Sequence, residues 1–367
     1  MKQIKTEEAV GTVLCHDITR IVRGVIKEPV FRKGHIVAKE DIPVLLECGK
    51  ENLYVWECEE GMLHEDAAAE FLCNLSRGEN LRAGEAKEGK KELFAECDGL
   101  LKVDEEGVRA INSAGQMMIA SRHGDFPVKK GDRIAGTRVI PLVIEEEKLL
   151  AVQKKIAMLQ GTDEGNIRPL YNILPFRHKK AAIIATGSEI QKGRIADTFT
   201  PVVIEKLSEY DTEVVCVSQS GDDHEEITAQ IMRAVNEYGA DIVLCTGGMS
   251  VDPDDRTPLA IRNTGAEIVC YGVPVLPGAM FMLGYLRRNI PFDTDRENEP
   301  KGSIGGYVAV MGLPGCVMFN GRTIFDLILP RIMADDRVLS EEISRLGTGG
   351  MCLNCEVCSF PNCGFGK

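Results

Sequence analysis

The sequence predicts an α/β protein. A three-layer, doubly wound, mostly parallel sheet joins an α+β, β-rich N-terminal half and a cysteine-rich C-terminal tail. Three observations carry this. From residue 178 to 335, short apolar runs alternate with amphipathic helical stretches, as repeated strand–helix units do. Within that region Ala240–Pro258, ADIVLCTGGMSVDPDDRTP, sets a buried strand, a glycine turn, three acids and a helix start in one line. Residues 79–144 instead show short alternating runs punctuated by Gly and Asp, the pattern of a small barrel or sandwich.

Composition bounds the rest. A chain of 367 residues exceeds one ordinary core, so several domains are expected. The shifts in pattern place them at 1–77, 78–144, 178–335 and 336–367, with a helix and linker at 145–177. Net charge is −13 with no Lys/Arg stripe, which argues against a nucleic-acid partner. Small anions stay compatible, because backbone amides bind them whatever the net charge. No apolar run is long enough to span a bilayer. The first residues, MKQIKTEEAVG, lack a signal-peptide core, so a cytoplasmic location without membrane association is expected. Of the 13 cysteines, the nine from Cys15 to Cys316 are scattered, several inside apolar runs. They read as buried free thiols, and the odd count argues against a disulfide framework.

In chain order, VGTVLCHDITRIV reads as a bent strand, Asp41 as the cap of a helix over Ile42–Leu46, NLYVWE as a strand and Asp66–Asn74 as a helix. His16, Asp17 and His35 fit no compact metal spacing and read as polar surface. In 79–144, LFAECDGLLKVDEEGVRAIN and FPVKKGDRIAGTRVIPLVI read as strands and turns. Glu145–Gln160 is a helix whose buried face is Leu149, Val152, Ile156 and Leu159, with acids early and lysines later as the macrodipole prefers. Beyond a polar linker, strands are expected at Ala181–Ala185, Glu213–Val217, Asp241–Cys245, Glu267–Tyr271 and Tyr307–Met311. Helices are expected from Thr200, along Ile227–Tyr238, from Thr257, and over Ile324–Met333 with a break near Pro330. Residues 286–303 are polar and carry two prolines; a lid and a plain solvated loop fit equally.

The strand-end loops carry the chemistry, since open α/β sheets bind ligands at the carboxyl ends of their strands. Gly247 and Gly248 allow a sharp turn and close approach to a ligand. Asp252, Asp254 and Asp255 follow. Thr257-Pro258 reads as an N-cap and first-turn proline.

These loops, taken in order, resemble the molybdenum-cofactor biosynthesis, or molybdopterin-binding, domain family shared by molybdopterin adenylyltransferase, molybdenumtransferase and gephyrin. Thr186-Gly187-Ser188-Glu189-Ile190 is similar to the family's first strand-end turn. Asp197 stands at the aspartate of its Asp-Ser-Asn element. Gly221-Asp222-Asp223 resembles its Pro-Asp-Asp step. Thr246-Gly247-Gly248 with Asp255-Arg256-Thr257-Pro258 resembles its Thr-Gly-Gly…Asp-x-Thr-Pro signature. Pro277-Gly278 and Pro314-Gly315 match its two later Pro-Gly loops. The resemblance implies that Gly247, Gly248, Gly278 and Gly315 let amides cradle phosphate and pterin, that Ser188 and Ser250 donate to phosphate, and that Asp222 and Asp255 hold Mg²⁺. Asp223 and Asp254 are the alternates. It also implies homo-oligomers.

The chain departs from the pattern at Thr198-Phe199, around VLPGAM, and at Cys316-Val317, where ligand identity is decided. A relative of the same fold, the competence-damage type that includes nicotinamide-nucleotide deamidase and ADP-ribose pyrophosphatase, carries a similar Thr-Gly-Gly…Asp-Asp-x-Thr element. Three functions therefore compete. The chain is a Mg²⁺-dependent nucleotidyl- or molybdenum-transferase acting on molybdopterin, a non-catalytic module that delivers or senses the cofactor, or a dinucleotide hydrolase.

Cys352, Cys355, Cys358 and Cys363 form a separate C-x2-C-x2-C-x4-C set. Four thiols this close repel as thiolates unless a cation neutralises them. The spacing lies near the bacterial ferredoxin run, and an iron–sulfur cluster, Zn²⁺ and a reduced metal-free tail are the three readings. Gly347–Gly350 reads as a hinge before them, and a molybdoenzyme is a candidate partner for a metal-loaded tail.

Overall fold

The computed structural model describes residues 2–22, 26–55, 60–253, 255–288 and 306–367. The chain divides into two compact units. The first comprises residues 1–96, 103–122 and 130–172, and the second comprises 97–102, 123–129 and 173–367.

In the first unit, a small core of Ala9, Leu14, Ile18, Val37, Leu45 and Leu53 lies under the helix Asp41–Glu47 and the antiparallel pair Lys2–Lys5 and Asn52–Val55. Asp41 falls inside the helix and accepts from the Ala38 amide at 2.8 Å. The expected strand NLYVWE is seen to Val55; Trp56 lies outside the described residues. The helix expected at Asp66–Asn74 spans Glu65–Ser76. Further on, four antiparallel strands run in the order Leu81–Ala83, Lys90–Ala95, Arg133–Val139 and Met117–Ser121. The helix Glu65–Ser76 packs on this sheet.

One stretch expected as strand is helix, Glu105–Ser113. Asp104 caps it by accepting from the Gly107 amide at 3.0 Å, and two acids fill its first turn. The capping pattern outweighs the strand alternation here. The helix Glu146–Gln160 buries Leu149, Val152, Ile156 and Ala157. Leu159, expected on that face, is half exposed in the last turn.

The second unit is organised by a six-stranded mixed sheet. Its strands, numbered within this unit, are β1 (Lys179–Thr186), β2 (Thr212–Ser220), β3 (Ile242–Thr246), β4 (Glu267–Tyr271), β5 (Met282–Arg287) and β6 (Tyr307–Leu313). The order across the sheet is β2-β1-β3-β6-β5-β4. The β2/β1, β1/β3 and β3/β6 pairs are parallel, and β6/β5 and β5/β4 are antiparallel. β5 was not foreseen. Its run of six includes five buried residues, and a continuous apolar run carries no period to mark it as strand.

The helices of this unit are α1 (Ser188–Gln191), α2 (Phe199–Ser208), α3 (His224–Asn236), α4 (Thr257–Asn263), α5 (Cys316–Phe319), α6 (Ile324–Met333) and α7 (Ser340–Arg345). Successive strand residues alternate between two cores. Ile183, Ile242 and Leu244 pack with Val203 of α2 and Phe325 and Ile328 of α6. Ile184, Val243 and Cys245 pack with Ile227 and Ile231 of α3 and Ile261 of α4. Tyr238, expected on the α3 face, lies past its end and is partly exposed. Of the expected interruption or kink near Pro330, the interruption is not seen, since α6 runs through Pro330.

Most of the segment read as a lid or solvated loop, 289–303, lies outside the described residues. Two of the glycines read as a hinge, Gly349 and Gly350, are closely packed. A side chain on Gly349 would meet the Lys367 carbonyl at 1.9 Å, and one on Gly350 the Leu346 and Pro274 carbonyls at 2.3 and 2.5 Å. Close packing, not flexibility, accounts for those residues.

Candidate functional site

The parallel register brings four strand ends side by side. Thr186 lies opposite Ser220, Ala185 opposite Thr246, and Thr246 opposite Leu313. The loops Gly187–Glu189, Gly221–Asp223, Gly247–Ser250 and Pro314–Gly315 therefore leave the sheet from one edge. β1 and β3 are buried largely apolar runs, β2 is a half-exposed strand, and the last residue of each, Thr186, Thr246 and Ser220, is polar and buried.

The central turn is fixed by hydroxyls. Thr186 Oγ1 donates to the Thr246 carbonyl at 3.1 Å and lies 3.1 Å from Thr257 Oγ1. Thr257 Oγ1 donates to the Gly247 carbonyl at 3.0 Å. Gly247 and Gly248 have φ of +94° and +58°. A Cβ at Gly247 would lie 2.5 Å from the Thr186 carbonyl, and one at Gly248 2.6 Å from Thr257 Oγ1. Only glycine fits both the conformation and the space. Met249 anchors the turn from below, buried against Gly312. Thr257 was expected as the cap of α4. It is the first helical residue, after Arg256, and its hydroxyl serves the turn instead.

Around this turn, Asp222 accepts from both the Ser188 amide, at 3.2 Å, and the Ser188 hydroxyl. That hydroxyl is thus committed to Asp222. Glu189 and Ser250 are exposed. Asp255 is partly buried, with its amide on the Asp252 carbonyl at 3.0 Å; Asp254 lies outside the described residues. Asp197 accepts from the amides of Phe199 and Thr200 at 3.0 Å and from the Thr200 hydroxyl at 2.5 Å, so its carboxylate holds the start of α2. The Leu276–Pro277 peptide is cis. The Pro277 carbonyl accepts from Ile324 at 3.3 Å, and Gly278 packs against the Ile324 side chain. Nothing lies within 4 Å of where a Gly315 Cβ would point. The hydroxyls of Ser220 and Thr246 are buried without a hydrogen-bond partner among the described residues. Ser220 escaped notice in the sequence; its place directly before Gly221-Asp222 was the signal.

Asp222 and Asp255 offer the hard oxygen donors that Mg²⁺ takes. Among the described residues no group of three or more His, Cys, Asp or Glu side chains is placed to hold a metal ion. The same finding applies to Cys352, Cys355, Cys358 and Cys363, which are not gathered about a single-ion position. Beneath the site, burial pushes the Cys245 thiol up to about 12, so it stays a protonated core residue. Among the described residues no helix is long and apolar enough to cross a membrane.

Fold and site together define an α/β domain whose glycine turn and acids converge on the carboxyl ends of parallel strands. Residues 182–334 match the family model described as a probable molybdopterin binding domain, and residues 3–57 match a domain of unknown function, DUF8806. Over this segment, under half of the chain, the α/β domain is thus similar to the molybdopterin-binding family. Among curated proteins, a CinA-like protein of Mycobacterium tuberculosis (strain ATCC 25177 / H37Ra) is 33% identical over 91 residues, 24% of this chain and 21% of that one. A CinA-like protein of Thermosipho melanesiensis is 23% identical over 184 residues, 46% of this chain and 45% of its own. The chain thus spans from about a fifth to under half the length of these relatives. Among solved structures, the tungsten cofactor synthesizing protein MoaB from Pyrococcus furiosus is 20% identical at a TM-score of 0.34, covering 44% of this chain and 99% of that one.

Proposed function

We propose that the chain binds molybdopterin at the β1, β2, β3 and β6 strand ends and carries out a Mg²⁺-dependent nucleotidyl or molybdenum transfer on it. The observation that supports this is the convergence of the four strand-end loops around the Gly247–Gly248 turn. There the buried Ser220 and Thr246 hydroxyls have no partner among the described residues, and such groups are normally satisfied by a ligand or water.

In this reading Gly247 and Gly248 admit a phosphate close to the backbone. The Pro277-Gly278 and Pro314-Gly315 loops border the pterin, and Gly315 leaves open space in front of it. Ser188 does not donate to phosphate but holds Asp222 in position. Asp222 and Asp255 would hold Mg²⁺, which neutralises charge on phosphate oxygens when bound.

The test compares molybdopterin with ADP-ribose by calorimetry in Mg²⁺, followed by turnover. Preferred binding of molybdopterin with adenylyl or molybdate transfer is expected. Asp255→Ala should lower that transfer about a hundredfold or more, as loss of a charge stabiliser does, with melting unchanged. Retained turnover in that variant sinks the assignment, and molybdopterin binding without turnover identifies a delivery or sensing module. The match to CinA-like proteins favours a second reading, the ADP-ribose hydrolase. It requires Mg²⁺-dependent ADP-ribose cleavage.

A further inference from the structure

The four tail cysteines, which no single-ion site uses, border one cavity. Cys352, Cys355, Cys358 and Cys363 all line a void of about 480 Å³. Its remaining walls are largely apolar and include Phe319 of α5, and Phe360 and Phe365 of the tail.

This is a held frame. At one end the Cys352 amide donates to the Leu276 carbonyl at 2.8 Å, and the Leu276 amide donates to Gly350 at 2.8 Å. At the other end the Gly366 amide donates to Gly349 at 2.9 Å, and Phe365 is buried in the main core. Cys352 and Cys363 are partly buried, while Cys355 and Cys358 are exposed.

A single Zn²⁺ needs its thiolates about 2.3 Å from one point. Among the described residues no three metal-binding side chains are so placed, yet all four cysteines line a void far larger than one ion. A space of this size bordered by four cysteines has room for a multinuclear core. Thiolates are the ligands of sulfide-bridged iron clusters, in which each of four irons takes one cysteine. The C-x2-C-x2-C-x4-C order lies near the ferredoxin run and departs from it in one added residue before the last cysteine and in a proline, Pro361, that precedes that cysteine instead of following it.

We propose that this cavity is the site of a 4Fe–4S cluster held by Cys352, Cys355, Cys358 and Cys363. The assignment is independent of the ligand read at the strand ends. It places the cluster against Phe319–Arg322, the segment that follows the Pro314–Gly315 loop.

The cluster enters by ligand exchange. Four Fe–S(Cys) bonds form and four bonds from iron to small thiolate ligands break. The cysteine protons leave on the released thiols, and no electrons are transferred.

The experiment treats the full chain, reduced and anaerobic, with a preformed 4Fe–4S cluster carrying four small thiolate ligands, followed by desalting. The wild type should retain four irons and four sulfides per chain and a broad visible absorption that bleaches on reduction. Cys355→Ser and Cys358→Ser change exposed side chains, so both should keep the wild-type melting curve and lose the absorption at least tenfold. Cys48→Ser, in the first unit, should retain it. Failure of the wild type to hold iron overturns the proposal, as does equal loading of the wild type and both variants. Tight uptake of one Zn²⁺ that excludes the cluster also overturns it. None of these readouts involves molybdopterin, so failure here and failure of the strand-end reading are separate results.

Discussion

Thr257 shows how much of the site rests on one side chain. Its hydroxyl is fully buried and joins three elements: Thr186 on β1, the Gly247 carbonyl after β3, and α4. Thr257→Val keeps the shape and removes the hydrogen bonds, leaving a carbonyl and a hydroxyl short of partners in a dry setting. Such loss costs about 1–3 kcal/mol. Urea unfolding should show that drop, and ligand affinity should fall with it because the Gly247–Gly248 turn loses its brace. The sequence made Thr257 legible as a residue of interest, through its place before Pro258. It did not make its task legible. The bond to Thr186 joins positions 71 apart in sequence, and only the strand register brings them together. Ser188 has the same history: its neighbours suggest a phosphate donor, and only the structure shows its hydroxyl spent on Asp222.

At the scale of elements, the segment between α5 and α6 is set by a buried ion pair. Lys206 of α2 donates to Asp326 of α6 at 2.7 Å and to the Gly321 carbonyl at 2.7 Å. Asp326 also accepts from the Thr323 amide at 2.7 Å in a capping box, and from Arg322 at 2.9 Å. Asp326→Ala strands the Lys206 ammonium in the core and removes the cap. Breaking a buried pair from one side costs about 3–5 kcal/mol, and denaturant melts of the variant should show a loss of that order. Elements with a clear local signature were legible before the structure. β3 is a short apolar run stopped by glycines, and α3 shows Ile227, Ile231 and Ala234 on one face. Where local signals conflict, the reading failed. In Glu105–Ser113 an Asp cap and two acids overrode an apparent alternation, and in β5 an unbroken apolar run gave no period. The antiparallel β4–β5 edge was equally hidden, because strand direction depends on partners distant in sequence.

At the scale of the whole molecule, the two units have separate cores, and stability need not respond to pH alike in both. The first unit contains a buried carboxyl, Glu65, whose pKa is pushed from the ordinary 4.5 to about 7. Desolvation is the main cause and the neighbouring Asp66 adds to it, while Lys33 and Arg138 oppose it and Glu88 adds a smaller push upward. The protonated acid is therefore the form the fold prefers. Between pH 4.5 and 7 the folded chain holds a proton at this position that the unfolded chain has released, so unfolding releases a proton there and stability falls as pH rises. The contribution is fully present below the unfolded value and is lost as pH climbs through about 7. The slope reaches at most about 1.4 kcal/mol per pH unit for one proton. Glu65→Gln, which stays neutral, should flatten that part of the profile and leave the variant more stable than the wild type at pH 8. The measurement is urea unfolding of the full chain from pH 5 to 8, read by hydrogen exchange in the helix Glu65–Ser76 so that the first unit is followed by itself. A profile in the glutamine variant as steep as the wild type's would assign the slope to other groups.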